Sequence, residues 1–180
     1  MRIRTPFSLL ALGAVLWVAP TADAALPTFK DKTIVVGKSI AGVKLGAGLA
    51  SGKAAWGKAN ADCSDPLVCQ FRVKGAVSGD KGEGLFSLKG GKISRIQITA
   101  PLASGAGHAY KAPFTTPKTA KGIGIGSTEA KLKKAYPKAT SPSKGYFVIK
   151  SPGRVETSFV VDQSAKRVSS VVVEIIPAGY

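Results

Sequence analysis

An internal repeat is the feature of this sequence that most restricts how the chain can fold. Residues 42–46 (GVKLG) match residues 122–126 (GIGIG), and at the same offset of 80 positions residues 56–59 (WGKA) match residues 136–139 (YPKA). Identities are few, but apolar, alternating segments follow both copies in the same order. This preserved order predicts a duplicated supersecondary unit.

Each copy is predicted to contain one helix. In the second copy, Ser127 is placed to act as the N-cap, Glu129 in the first turn suits the helix dipole, and Pro137 ends the helix. In the first copy, Gly48 and Gly52 lie inside the equivalent segment. Each glycine lowers helix stability by about 1 kcal/mol relative to alanine, so we expect the first helix to be short.

Alternating apolar residues, separated by turn signals, predict that strands follow each helix. In the first copy the predicted strands are Gln70–Val73, Gly84–Leu88 and Ile93–Thr99. In the second copy they are Tyr146–Ile149, Thr157–Val161 and Val168–Ile175. The short spacing favours antiparallel hairpins, and we expect the copies to share a continuous sheet or to pack helix against sheet.

These elements predict an α+β fold with two tandem repeats, each a short helical segment packed on an antiparallel β-sheet of about three strands. The first unit, with an N-terminal lead, spans residues 25–100, a connector spans 101–113, and the second unit spans 114–180. Units of this size bury too little surface to be more than marginally stable alone. We therefore expect the two to pack together.

The N-terminal residues 1–24 have the organisation of a secretory signal peptide. Arg2 and Arg4 precede an apolar run from Phe7 to Val18, and small residues follow up to Ala24. The apolar run is too short for a membrane-spanning helix, which needs about 20 residues. The pattern predicts cleavage near Ala24, leaving a chain without a transmembrane segment in a secreted, extracellular or periplasmic-type compartment.

The two cysteines of the chain, Cys63 and Cys69, lie close together between a predicted helix and a predicted strand. Disulfides form and persist in the oxidising compartments that exported proteins reach. Two cysteines near one turn in such a protein are most simply a bonded pair. We therefore predict a structural disulfide between Cys63 and Cys69.

The segments Ser39–Gly46 and Gly122–Thr128, each followed by its helix, resemble those of the β-lactamase inhibitory protein and SmpA/OmlA-like envelope protein group. The pair Cys63–Cys69 also suits the habit of that group of joining the helical segment to the first strand. The resemblance implies helices packed on one face of an antiparallel sheet. It also implies protein binding, as an inhibitor or an envelope scaffold, rather than catalysis.

The residue composition excludes several kinds of catalytic and metal site. With one histidine and two cysteines, the chain lacks the ligands of a Cys₄ or Cys₂His₂ zinc site. His108 is the single imidazole, and Glu83 and Glu129 are its nearest acids in sequence, so we interpret it as a surface loop residue. The run 122–129 matches no nucleotide-binding motif and indicates a structural turn. We expect no enzyme activity, metal or cofactor.

The chain is strongly basic, with 26 Lys and Arg against 10 Asp and Glu and a net charge of +16. Lys131, Lys134 and Lys138, at spacings i, i+3 and i+7, predict a positive helical face, which is either a solvated surface or an anion-binding site. Export and the excess of lysine over arginine argue against nucleic acid, because arginine is the better reader of phosphates and bases. Anionic polymers of the cell envelope remain candidate partners.

From these features we expect a secreted, non-catalytic binding module that docks a secreted or envelope protein through a sheet face or loops, with an inhibitor-like role as one form of this function. Complementary charge would mainly accelerate such association. The alternative is a protein that binds anionic envelope polymers or lipid headgroups through lysine-rich faces. In that case Lys131, Lys134 and Lys138 would be the central contacts.

Overall fold

The computed structural model describes residues 26–57, 61–72, 81–101 and 107–178. The predicted signal peptide, residues 1–24, lies outside the described residues. So do residues 102–106 of the predicted connector and Val73, the last residue of the first predicted strand.

The described residues contain two short helices and eleven strands. The helices are α1 (Leu49–Trp56) and α2 (Glu129–Ala135). The strands are β1 (Thr33–Val35), β2 (Ser39–Ile40), β3 (Val43–Lys44), β4 (Val68–Phe71), β5 (Glu83–Lys89), β6 (Lys92–Thr99), β7 (Lys118–Thr119), β8 (Thr140–Ser143), β9 (Tyr146–Ser151), β10 (Val155–Asp162) and β11 (Arg167–Ile175).

Most of the strands belong to one antiparallel sheet of seven, in the order β4-β5-β6-β11-β10-β9-β8. Its two halves meet where β6 pairs with β11, in a register that places Ile98 opposite Val171. A second sheet has the order β3-β2-β1-β7, and its β1 and β7 are parallel, with Thr33 opposite Lys118. Both sheets therefore join strands from distant parts of the chain.

The prediction of two tandem helix-on-sheet repeats is wrong. Strands from both predicted units do share one continuous sheet, but the fold is mostly β and its helices have only 8 and 7 residues. A glycine in α1 and a proline after α2 explain why the two helices form only a small part of the fold. A Cβ on Gly52 would lie 2.8 Å from Ile93 Cδ1, so α1 approaches the sheet closely only because it lacks side-chain bulk there. Pro137 lies two residues after the end of α2, behind the C-cap Tyr136.

The core lies between α1, the small sheet and one face of the large sheet. Alternate residues of β5, β6, β10 and β11 are fully buried on that face, among them Phe86, Ile96, Ile98, Phe159 and Val171. Trp56, at the end of α1, is surrounded by the rings of Phe29, Phe71 and Phe86, with centroid distances of 5.4, 5.3 and 5.8 Å. Its indole Nε1 donates to the carbonyl oxygen of Ala41 at 3.1 Å.

The predicted disulfide is confirmed. Cys63 and Cys69 are bonded, and Asp62 and Gln70, just outside the pair, exchange two backbone hydrogen bonds of 2.8 Å. The disulfide and these hydrogen bonds close the loop that leads into β4. Cys69 is fully buried, so the disulfide also anchors this loop to the core.

Candidate functional site

Three cationic side chains, those of Lys118, Lys131 and Arg167, line one cavity of about 440 Å³ together with Tyr110. We call this cavity the cationic pocket. Lys118 belongs to β7, Lys131 to α2 and Arg167 to β11. The three cationic residues of the pocket are thus separated in sequence by 13 to 49 positions, since 131 − 118 = 13 and 167 − 118 = 49.

Two of the three cationic side chains, those of Lys118 and Arg167, are held in place by backbone carbonyl groups. Lys118 Nζ donates to the carbonyl oxygen of Ile125 at 2.6 Å, and Arg167 Nη1 donates to that of Gly126 at 2.7 Å. Thr128 also pairs with Arg167 as an isolated β-bridge. The turn 124–128 therefore orients both side chains at the wall of the pocket.

The glycines of this turn have a packing role. A Cβ on Gly124 would lie 2.2 Å from the carbonyl oxygen of Pro117, which no side chain could tolerate without a backbone shift. The N–H group of Gly124 donates to Ser127 Oγ at 3.1 Å. Ser127 therefore closes the turn, and the N-cap of α2 is Thr128, whose side chain accepts from the N–H group of Lys131.

The described residues that line the cationic pocket include three positive charges and no carboxylate. Lys118 is about half-buried, and burial, followed by the charge of Lys131, lowers the pKa of its ammonium group. Among the described residues, no carboxylate forms an ion pair with Lys118, Lys131 or Arg167; the acid next to Lys131, Glu129, pairs with Lys133 at 2.6 Å instead. Partly buried charges are costly unless they are paired, so the pocket favours an anion.

Asp162, at the end of β10, ties the segment around residue 110 to the large sheet. Its Oδ2 accepts from the Tyr110 hydroxyl group at 3.2 Å and lies 3.2 Å from His108 Nδ1. Its Oδ1 accepts from the N–H and hydroxyl groups of Ser164 at 2.9 and 2.6 Å and from the N–H group of Ala165 at 3.3 Å. The hydrogen bond from Ser164, reinforced by that from His108, holds the Asp162 pKa well below its ordinary range.

We call Asp162 together with His108, Tyr110 and Ser164 the Asp162 cluster. It gives His108 a carboxylate partner that the order of residues in the sequence does not reveal. The two residues are 54 positions apart, whereas the sequence pointed to Glu83 and Glu129 as the nearest acids. Tyr110 belongs both to the cluster and to the lining of the cationic pocket. The cluster therefore positions one wall of that pocket.

Burial raises the pKa of Tyr110 from 10.0 to about 12, with the charge and hydrogen bond of Asp162 adding to the effect. The folded protein then keeps the proton that the unfolded chain releases near pH 10, so stability falls as the pH rises from 10 to about 12. We expect a tyrosinate absorbance titration to show a component near pH 12 that is missing in Tyr110→Phe. A wild-type curve without this late component would contradict the assignment.

A second cavity, of about 530 Å³, lies at the other end of α2. Three lysines line this cavity, namely Lys121, Lys138 and Lys150. Its apolar lining comes from Tyr136, Pro137, Val148 and Ile149. We call it the lysine-rimmed groove. Its lining contains no carboxylate among the described residues.

The structure separates the three lysines that the sequence grouped into one helical face. Lys131 lines the cationic pocket, Lys138 lines the lysine-rimmed groove, and the exposed Lys134 lines neither. The spacing i, i+7 needs a helix that reaches residue 138, but α2 ends at Ala135. Lys118 and Arg167 were missed because no local pattern connects them to α2.

On the face opposite the core, the large sheet carries a row of polar side chains that bond with one another. Arg95 contacts Glu174 at 2.7 Å and Gln97 at 3.0 Å. Gln97 donates to Thr99 at 3.0 Å, and Thr99 lies 3.1 Å from the hydroxyl group of Ser170. These polar side chains are therefore already satisfied by internal hydrogen bonds.

No family model matches the sequence, and no curated protein matches it. Among solved structures, the chain is similar to an extracellular protein containing an SCP domain from Bacillus anthracis, with 10% identity over 72% of this chain and a TM-score of 0.43. It is also similar to a cysteine-rich secretory protein from Staphylococcus aureus, with 15% identity over 72% of this chain and a TM-score of 0.40. The matches cover only 43% and 44% of those two chains.

These comparisons correct the predicted resemblance to the β-lactamase inhibitory protein and SmpA/OmlA-like group. The structural neighbours are described as SCP-domain and cysteine-rich secretory proteins, and an inhibitor-like role has no support. Among the described residues, no helix is long and apolar enough to cross a membrane. The neighbours are described as an extracellular and a secretory protein, and the prediction that this chain is exported rests on its own residues 1–24.

Proposed function

We propose that this secreted domain is a non-catalytic module that binds anionic groups of cell-envelope polymers in its cationic pocket. The observation that carries the proposal is Lys118, a half-buried lysine whose pKa is lowered and which has no carboxylate partner among the described residues. An anion in the pocket would raise the pKa of Lys118 again, because a nearby opposite charge favours the charged state.

The donors in the pocket suit a phosphate or carboxylate group. The Lys118 ammonium group has three N–H donors and the Arg167 guanidinium group has five. Each group donates one hydrogen bond to a backbone carbonyl oxygen at the wall of the pocket. Lys131 adds a third positive charge from α2. Hydrogen bonds to ionised partners are roughly twice as strong as neutral ones, so these groups favour an anion over a neutral sugar.

The charge of the whole chain supports the same function. A net charge of +16 raises the local concentration of polyanions and accelerates their encounter with the protein. Docking of a partner protein on the large sheet finds less support, because the polar groups of Arg95, Gln97 and Thr99 already bond one another. We therefore favour the polyanion over the protein partner.

The proposal is tested by titrating the protein with oligomers of glycerol phosphate and of galacturonate in a calorimeter. The double variant Lys118→Gln/Lys131→Gln should bind about tenfold or more weakly, because each charge-assisted hydrogen bond contributes about 1.5–3 kcal/mol. The matched control is Lys89→Gln/Lys92→Gln, which removes two exposed lysines from the β5–β6 hairpin. Its affinity should stay within about twofold of wild type.

Proton uptake supplies a second measurement. If the anion restores the Lys118 pKa towards its ordinary 10.5, binding takes up protons at a pH between the lowered and the ordinary value. Calorimetry in buffers of different ionisation enthalpy measures this uptake, which should vanish in Lys118→Gln. An absence of binding by the wild type, or equal losses in both double variants, would contradict the proposal.

A further inference from the structure

The lysine-rimmed groove is formed where β8 separates from its neighbour. The pairing of β8 with β9 runs from Ser143 opposite Tyr146 to Thr140 opposite Val148. Before Thr140 the chain turns back through residues 136–139 to α2, while β9 continues to Ser151. The edge of β9 beyond Val148 and the segment 136–139 become the two walls of the groove.

The apolar lining is held in place by the core. Tyr136 stacks on the fully buried Phe159, with ring centroids 5.9 Å apart and planes inclined by 25°. Val148 is buried, and Ile149 packs against the core cluster. These contacts give the groove a preformed apolar surface. Its volume of about 530 Å³ is that of a small-molecule cavity rather than a flat protein interface.

The positive charge of the groove is oriented but not neutralised. Lys121 Nζ lies 4.9 Å from the centroid of the Tyr136 ring and donates to the carbonyl oxygen of Ala135 at 2.7 Å. Lys138 and Lys150 are exposed. Glu156 stands opposite Lys150 in the β9–β10 register, yet the two form no ion pair in the described structure.

We infer that the lysine-rimmed groove binds a monomeric, single-chain anionic amphiphile, an alkyl or acyl chain that ends in a phosphate or carboxylate group. The alkyl chain would cover Tyr136 and Ile149, and the anionic end would lie among the lysines. A purely apolar molecule would leave the ammonium groups unpaired, and a purely ionic one would leave the apolar lining exposed to water. This inference does not rest on the cationic pocket, which uses other residues.

The test compares octyl, decyl and dodecyl phosphate, each below its micelle concentration, by calorimetric titration. Each added methylene should tighten binding by about fourfold until the groove is filled, because burying one methylene stabilises the complex by about 0.8 kcal/mol. Dodecyltrimethylammonium, with a chain of the same length and the opposite charge, should not bind. Equal affinity for the cation, or no dependence on chain length, would overturn the inference.

Matched variants locate the site. Lys138→Glu/Lys150→Glu should weaken dodecyl phosphate binding by about tenfold or more. Lys111→Glu/Lys134→Glu makes the same charge change at exposed lysines outside the groove and should stay within about twofold of wild type. Lys118→Gln/Lys131→Gln should bind the amphiphile normally, which separates this inference from the proposed function. Binding only to phosphatidylglycerol vesicles, or only to an acidic extended peptide, would also overturn it.

Discussion

Replacing Trp56 with alanine is expected to lower the free energy of unfolding by about 3–5 kcal/mol, as for other buried tryptophans. The indole ring is fully buried and contacts the rings of Phe29, Phe71 and Phe86. It also lies against Gly84 of β5, where a Cβ would come within 2.7 Å of it. Its removal would leave a cavity that these rigid neighbours fill only in part. Urea denaturation of residues 25–180, followed by circular dichroism, measures the loss.

The variant Trp56→Phe separates the aromatic packing from the hydrogen bond. It retains a ring but leaves the carbonyl oxygen of Ala41 without the indole N–H donor, so we expect a loss of about 1–3 kcal/mol. A loss below about 1 kcal/mol in Trp56→Ala would show that the aromatic cluster around residue 56 is not the centre of the core.

Replacing Asp162 with alanine is expected to lower the free energy of unfolding by about 1–3 kcal/mol, because the part-buried groups of Tyr110 and His108 lose their partner, whereas the exposed donors of Ser164 and Ala165 regain water. The carboxylate accepts from Tyr110 and from the backbone and side chain of Ser164, and it contacts His108. Its side chain is only 7% exposed, so water cannot substitute fully. Because Tyr110 lines the cationic pocket, anion affinity should fall as well.

The dependence of the free energy of unfolding on pH, measured at acid pH, supplies the control for Asp162. Its pKa is lowered in the folded state, so its contribution is complete above the ordinary value of 3.8 and is lost as the pH falls below it. Wild type should therefore lose more stability between about pH 5 and about pH 2 than Asp162→Asn, which has no carboxyl group to protonate. Equal acid sensitivity in both proteins would contradict this role.

Local patterns predicted the central strands closely. Alternation placed strands at Ile93–Thr99 and Val168–Ile175, and the structure has β6 at Lys92–Thr99 and β11 at Arg167–Ile175. These predictions succeed because a strand with one buried face must alternate, whatever it pairs with. The same reasoning failed for the short strands β1 and β7. The two residues of β7 become a strand by pairing with β1 across 85 positions, from Thr33 to Lys118.

The candidate site was predicted in part. Lys131 was identified from its helical neighbours, but it lines a cavity with Lys118 and Arg167, which lie on β7 and β11. The interpretation of one continuous lysine face failed because α2 ends before Lys138. The fold was also misread as two helix-on-sheet repeats, because local patterns gave no sign that β1, β2, β3 and β7 pair into a second sheet.

The sequence by itself determined those properties that depend on composition or on neighbouring residues. These are the disulfide between Cys63 and Cys69, the charge of +16 and the alternation of the long strands. The tertiary structure alone decided which strands are neighbours, which cations share a cavity and that His108 contacts Asp162 across 54 positions. The physical reason is that a repeating local pattern selects the buried face of an element, whereas packing between distant elements selects its neighbours.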